Sequence, residues 1–281
     1  PILPPDNTAN ALFLTGGNAT TTAVMAVIAQ DRYQAKTVGI IHADNAGANS
    51  TAAGVEAALD KAGITWKAVK GGDNETDAGY LGLMQAANAD DPDILISLYA
   101  DAGCIGTIRG YKTAGITKPV LTTSICSDSD VISQVGDDAT GWVFVGGQIE
   151  RDTPQKALLQ SIVAPYIPNE ETGEMGIEPA DVKTTALGLG GLGTVLVLTL
   201  RDIAAQMVAE GTEMSGQNLY DYLKVTKGLF LFGGITPLNC GAAAPSYSSF
   251  CSFVFEATEY KDGAVVSVED AKLWDSIPLL P

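Results

Sequence analysis

Between residues 37 and 147, short apolar runs rich in β-branched side chains alternate with stretches of helical periodicity. The runs fall at 37–42, 65–69, 93–98, 119–123 and 142–145. Each is too short for a helix and is bounded by turn-forming residues, so each predicts a strand. Helices are predicted between them at 50–62, 77–89, 102–114 and 129–135, with another at 19–34 ahead of the first strand. Regular alternation of strand and helix signals a parallel sheet. Because such crossovers are right-handed, helices cover both faces. The loops at the carboxyl ends of the strands then line the crevice where ligands bind.

After Gln148 the pattern turns helical, at 155–164, 180–210 and 216–226, with one strand at 229–232 ahead of a cysteine loop. Segments 252–258 and 264–268, around Lys261-Asp262-Gly263, predict a terminal hairpin. The long helix is apolar nearly all round, at Leu187, Leu189, Leu192, Val195, Leu196, Val197, Leu198 and Leu200, so it is expected to be buried. Two hairpin strands cannot cover it. Its partner sheet is therefore expected upstream of Pro1 or from another chain. The apolar run at 186–200 is loosened by four glycines and is shorter than the ~20 residues a bilayer demands.

Four stretches carry a family likeness. They are Lys36-Thr37-Val38-Gly39-Ile40-Ile41-His42-Ala43-Asp44, Ala62-Gly63-Ile64-Thr65, Asp91-Pro92-Asp93-Ile94-Leu95-Ile96-Ser97-Leu98-Tyr99, and Gly110-Tyr111-Lys112-Thr113-Ala114-Gly115-Ile116-Thr117-Lys118-Pro119-Val120-Leu121-Thr122-Thr123. The region from Ala11 to Gly147 that contains them resembles the second lobe of a type I periplasmic binding protein of the branched-chain amino-acid (Leu/Ile/Val) group. Phe232-Gly233-Gly234-Ile235-Thr236-Pro237 resembles that group's return crossover. The fold class implied is α/β, a doubly wound parallel-sheet lobe plus an incomplete second α/β lobe. Residues 16–148 are then lobe two, 1–15 and 149–235 the mostly helical remainder of lobe one, and 236–281 the final crossover, disulfide loop and terminal hairpin. The family's opening segment has no counterpart. One departure concerns the ligand: where relatives carry Tyr-Gly after the first strand of lobe two, this chain has Asn45-Ala46-Gly47-Ala48-Asn49, without the aromatic wall.

Composition narrows the partners. A chain of 281 residues with 46% hydrophobic residues holds a sizeable core. Sixteen Lys and Arg against 33 Asp and Glu give a net charge of −17, which repels nucleic acid and anionic membranes. The chain opens Pro1-Ile2-Leu3-Pro4-Pro5 with no signal core, so a natural leader is expected to have been removed or to lie outside it. Four cysteines lack the CxxC spacing of a metal or redox site. Cys104 and Cys126 follow neighbouring strands about 4.8 Å apart, within reach of a disulfide, and Cys240 with Cys251 would close a short loop. Two disulfides imply an oxidising compartment; four free thiols would mark a cytosolic protein instead.

The candidate ligand-binding residues lie at the strands' carboxyl ends: Asp44, Asn45, Asn49, Tyr99, Asp101, Ser124, Cys126 and Ser127. Asn49 or Ser50 is expected to cap the next helix, whose exposed N–H groups suit an anionic ligand group. By the resemblance, Tyr99 is the family's ligand-facing aromatic, and Ser124-Ile125-Cys126-Ser127-Asp128 is the loop that meets a ligand's amino group. Asp101 either holds a ligand ammonium or caps the helix after it, and Ser127 or Asp128 either serves the ligand or starts the following helix. Gly16 and Gly17 are hinge residues or ligand contacts. Gly188-Leu189-Gly190-Gly191-Leu192-Gly193 fits GxGxxG, but it lies in helical sequence with no strand before it, so helix packing is the expected reason for the glycines. Phosphate-loop and GxSxG motifs are absent, and with one histidine, His42, no serine or cysteine triad assembles. No catalytic residues, metal or cofactor are expected. The reading is an extracytoplasmic solute-binding protein that passes a small polar, amino-acid-like ligand to the permease of an ABC importer. A ligand-sensing receptor or regulator domain of the same fold and a Rossmann-type oxidoreductase are the alternatives.

Overall fold

A computed structural model of the chain describes residues 11–146, 153–169, 172–184, 187–234, 237–243 and 245–281. The first run holds α1 (Asn18–Asp31), β1 (Thr37–Ala43), α2 (Ala46–Ala62), β2 (Thr65–Gly71), α3 (Asp77–Asn88), β3 (Ile94–Leu98), α4 (Ala102–Thr113), β4 (Val120–Thr123), α5 (Ser129–Val135) and β5 (Trp142–Val145). There follow α6 (Pro154–Val163), α7 (Gly188–Ala209), α8 (Gly216–Val225), β6 (Leu229–Phe230) and β7 (Pro237–Leu238). The chain ends with β8 (Val254–Phe255), β9 (Ala257–Lys261), β10 (Ala264–Ser267) and β11 (Trp274–Asp275). Two compact units result. Of the described residues, the first takes 16–146 and 253–281, the second 11–15 and those between 153 and 252.

In the first unit a seven-stranded sheet runs in the order β10-β9-β5-β4-β3-β1-β2. Strands β1 to β5 are parallel. Burial on both faces is why β3 reads as an unbroken apolar run: all five of its residues are buried. Trp142, Phe144, Met84 and Ile96 are each 0% exposed in this core. The terminal hairpin is not a separate ribbon. Its β9 pairs antiparallel with β5 through Val143–Glu259, Phe144–Thr258 and Val145–Ala257, extending the five expected strands to seven. The sequence runs 252–258 together, but β8 leaves the sheet to pair with β11.

Asp93 ties the start of β1 to the approach to β3. Its Oδ2 accepts the Lys36 and Thr37 amides at 2.7 and 2.9 Å and the Thr37 hydroxyl at 3.1 Å. Those amide donors hold the Asp93 carboxyl below its ordinary pKa. A group depressed in the folded state stabilises at pH above its unfolded value, about 3.9, and loses that effect as pH falls through the depressed one. Asp93→Asn is therefore expected to be less stable than the parent at neutral pH. The difference should close in strong acid, as read by urea unfolding at a series of pH values.

In the second unit α7 begins at Gly188, not near 180, and the segment before it holds a short 3-10 turn at Pro179–Asp181. Burial follows one face only: Val195, Thr199, Ile203 and Met207, four residues apart, are at most 3% exposed. Val197 and Val208 stand 67% and 61% exposed. An outer face left uncovered within this chain agrees with the expectation that the helix's partner lies outside it, and over Gly191–Ala209 the helix reaches the length and hydropathy of a membrane-crossing segment. Its inner face packs on Leu159 and Phe232, and further along on Leu223, Leu229 and Leu238. Strand β6 covers only Leu229–Phe230 of the expected 229–232, and pairs antiparallel with the unexpected β7. No strand precedes Gly188 among the described residues, as the helical reading of the glycine run requires. Packing does not account for Gly193, where an added Cβ would meet nothing within 4 Å. The last passage between the units lies at Ser252–Phe253, beyond the 232–237 segment, whose residues 235 and 236 lie outside the described residues.

Candidate functional site

The order β2-β1-β3-β4-β5 places β1 between β2 and β3, so chain connectivity reverses direction there. At such a switch point the loops leaving adjacent strands part and open a crevice at their carboxyl ends. The loop after β1 brings Asp44, Asn45 and Asn49; the loop after β3 brings Asp101. Ser124, from the end of β4, stands on the next strand over.

The β1 loop is tied down. Asn45, not Asn49 or Ser50, caps α2: its side chain accepts the Ala48 amide at 2.8 Å. Asn49 lies inside the helix and donates from Nδ2 to Asp44 Oδ1 at 3.2 Å. The Lys70 ammonium, 3.0 Å from the same oxygen, is the larger reason, ahead of Asn49, that the Asp44 carboxyl sits below its ordinary pKa. The Asp44 amide donates to Gly71 O at 2.7 Å, and Asn45 Nδ2 to the Asp73 carboxylate, so the β1 and β2 loops form one piece. Lys70, Gly72 and Asp73 were not among the sequence candidates. The only signal for them is their place at the end of β2.

Tyr99 does not face a ligand in this structure. Its ring is 2% exposed and packs edge-on against Tyr80, with centroids 5.5 Å apart. Its hydroxyl donates to Gly72 O at 3.2 Å, and burial holds that hydroxyl far above the ordinary phenol range. Tyr99 is a prop beneath the β2 loop, because the first residue past β3 still points into the helix layer. Cys126 and Ser127 also lie below the surface. Cys126 is 0% exposed and bonded to Cys104, with Cα atoms 5.3 Å apart. Ser127 is 1% exposed and donates its hydroxyl to Ser124 O at 2.8 Å. Asp128 starts α5, its carboxylate accepting the Asp130 amide at 2.9 Å. Both expected disulfides are formed, Cys240 with Cys251 being the other.

Asp101 differs from these neighbours. It stands at the N-cap position of α4, yet its side chain makes no capping hydrogen bond, so the capping role fails. Its backbone lies at φ 49°, ψ −122°, where a residue with a Cβ is strained by about 1–3 kcal/mol. The side chain is exposed, one turn ahead of Cys104. The geometry amounts to a rigid polar rim: the four loops after β1 to β4 knitted by hydrogen bonds, a tyrosine prop and a disulfide, with one carboxylate that caps nothing. His42, the one histidine, is buried with Nδ1 3.0 Å from Ala43 O, and among the described residues no group of ligands for a metal ion occurs.

A family model described as periplasmic binding protein matches residues 3–177. An extracellular ligand-binding receptor from Verminephrobacter eiseniae superposes with a TM-score of 0.67 at 17% identity, over 90% of this chain and 67% of that one. A branched-chain amino-acid ABC transporter protein from Thermus thermophilus with bound valine gives 0.67 at 13%, over 95% and 68%. A solute-binding protein from Rhodopseudomonas palustris in complex with p-hydroxybenzoic acid gives 0.63 at 14%, over 93% and 66%. No curated protein matches the sequence. The chain spans about two thirds of the length of these structures, and identities this low speak for the fold alone.

Proposed function

The chain belongs to the periplasmic binding protein family, whose members bind ligands rather than transform them, and from that premise we propose that it is the ligand-binding part of an extracytoplasmic solute receptor serving an ABC importer. The first unit acts as one lobe and the second as part of the other, and closure on the solute is a ligand-driven shift between open and closed populations. The ligand is a small polar molecule with an ammonium group, an amino acid or close analogue. Asp44, Asn45, Asn49, Asp101 and Ser124 form the polar contact surface, with Tyr99, Cys126 and Ser127 supporting it from below. Two closed disulfides favour an oxidising, extracytoplasmic setting over a cytosolic sensor.

The observation that carries this reading is Asp101: a strained, exposed carboxylate at the switch point, without the capping bond its position offers. Strain at a strand's carboxyl end, where glycine would relax it, is the kind of cost that functional sites carry, and it points to Asp101. Calorimetric titration with a panel of amino acids at millimolar concentration tests it. A charge-assisted hydrogen bond is worth about 1.5–3 kcal/mol, so Asp101→Asn should weaken binding roughly tenfold or more. Asp101→Gly should lose the same affinity while gaining stability. Unchanged affinity in both variants would remove Asp101 from the site.

A further inference from the structure

The chain passes from the second unit into the first at Thr15–Gly16 and again at Ser252–Phe253. The segments leading up to these two points are laced together inside the second unit. Phe13 and Phe250 form a parallel bridge: the Phe13 amide donates to Ser249 O at 2.9 Å and the Cys251 amide to Phe13 O at 3.0 Å. One residue on, the Ser252 hydroxyl donates to Leu14 O at 2.6 Å. On the other side the Asn239 amide donates to Cys251 O at 2.7 Å and the Gly241 amide to Phe250 O at 2.9 Å. The Phe13 and Phe250 rings stack at 5.1 Å. The Cys240–Cys251 disulfide ties 249–252 to the 239–241 segment on the side away from Phe13, with Cys251 0% and Cys240 6% exposed; residues 12–14 are held by the hydrogen bonds alone.

We propose that the Cys240–Cys251 disulfide is a lock that holds 249–252 on 239–241 and so keeps in place the edge on which residues 12–14 pair, so that two of the chain's passages between its units move together rather than as independent linkers. Three residues' worth of hydrogen bonding is too short to stand alone, since a two-stranded pairing in water is marginal even at hairpin length. The cross-link keeps 249–252 beside 239–241 even when the bonds to 12–14 open, so the edge that receives Phe13 and Leu14 stays ordered for them to close again. Past the lock the backbone becomes permissive at once: Gly16, the first residue of the first unit, has φ 72°. Resting on the solute-receptor reading, the lock limits closure to rotations available at such points beyond the ribbon.

Hydrogen exchange read by mass spectrometry tests the lock without any ligand, so its outcome is separate from that of the receptor reading. In Cys240→Ser/Cys251→Ser the Phe13 amide is expected to exchange at least tenfold faster than in the parent, with Ile40 and Ile96 of the sheet unchanged. Unchanged exchange at Phe13 overturns the proposal. Should the double variant lose protection along α7, showing that the second unit has unfolded, Ser252→Ala with the disulfide kept decides. A Phe13 rate within about twofold of the parent leaves the disulfide as the fastener; a tenfold rise shows that the hydrogen bonds hold the ribbon and overturns it.

Discussion

Replacing Cys104 and Cys126 together by alanine is expected to cost the first unit about 3 kcal/mol of stability, the loop-closure entropy of a cross-link of this span. The bond joins residues 22 apart in sequence, one in the first turn of α4 and the other in the turn after β4. Both side chains are 0% exposed in the core that holds Tyr99 and Trp142, so alanine also leaves a small void. The measurement is clean because all three tryptophans, Trp66, Trp142 and Trp274, belong to the first unit. Their fluorescence follows the sheet and is blind to the second unit. The same replacement unties the loop of Asp101 from that of Ser124, so ligand affinity should fall as well, in a rim whose value is that it is already arranged. A loss below about 1 kcal/mol would mean that the reduced, unfolded chain keeps these two segments near each other without the bond.

The parallel sheet was legible in the sequence because its inner strands, buried on both faces, must be nearly continuous apolar runs, and because the alternation with helices placed the exposed edge strand β2 too; β1 to β5 each begin within a residue of the expected position. The Cys104–Cys126 disulfide was legible from the sheet, since its pairing follows once β3 and β4 are neighbours, whereas Cys240–Cys251 was suggested only by its short loop. The joining of β9 to β5 was not. A hairpin's alternation states which face is buried but not what its free edge meets, and that partner is more than a hundred residues away in sequence. Site residues were legible as places and not as roles. Strand ends mark the crevice, yet whether the residue past β3 turns inward, as Tyr99 does, or outward, as Asp101 does, depends on a backbone angle that no residue type dictates. The glycine run at 188–193 shows the converse limit: small residues suit close packing, but Gly193 borders open space.

Gly39→Ala should be strongly destabilising, because the layer above it cannot move out of the way. Gly39 lies buried in β1, paired with Lys67 on one side and Leu95 on the other. A Cβ there would stand 2.4 Å from the Ala87 carbonyl oxygen, 2.7 Å from Leu95 Cδ2 and 3.1 Å from the Ala87 carbonyl carbon. Two of those three atoms are backbone, in the last turn of α3, so relief requires the helix itself to lift off the sheet. Overpacking of this kind costs about 1–3 kcal/mol, and the rigid contact places this substitution at the upper end. The opposite sign is expected one helix turn and a half earlier. Gly82, exposed in the middle of α3, has nothing within 4 Å of an added Cβ. Gly82→Ala should gain about 0.5–1 kcal/mol from helix propensity alone. Urea unfolding of the two variants, followed by tryptophan fluorescence, should therefore move the midpoint in opposite directions. If Gly39→Ala unfolds at the parent's midpoint, α3 sits farther from β1 than this architecture allows, and the β2 loop that α3 anchors beside Asp44 and Asn45 is correspondingly looser.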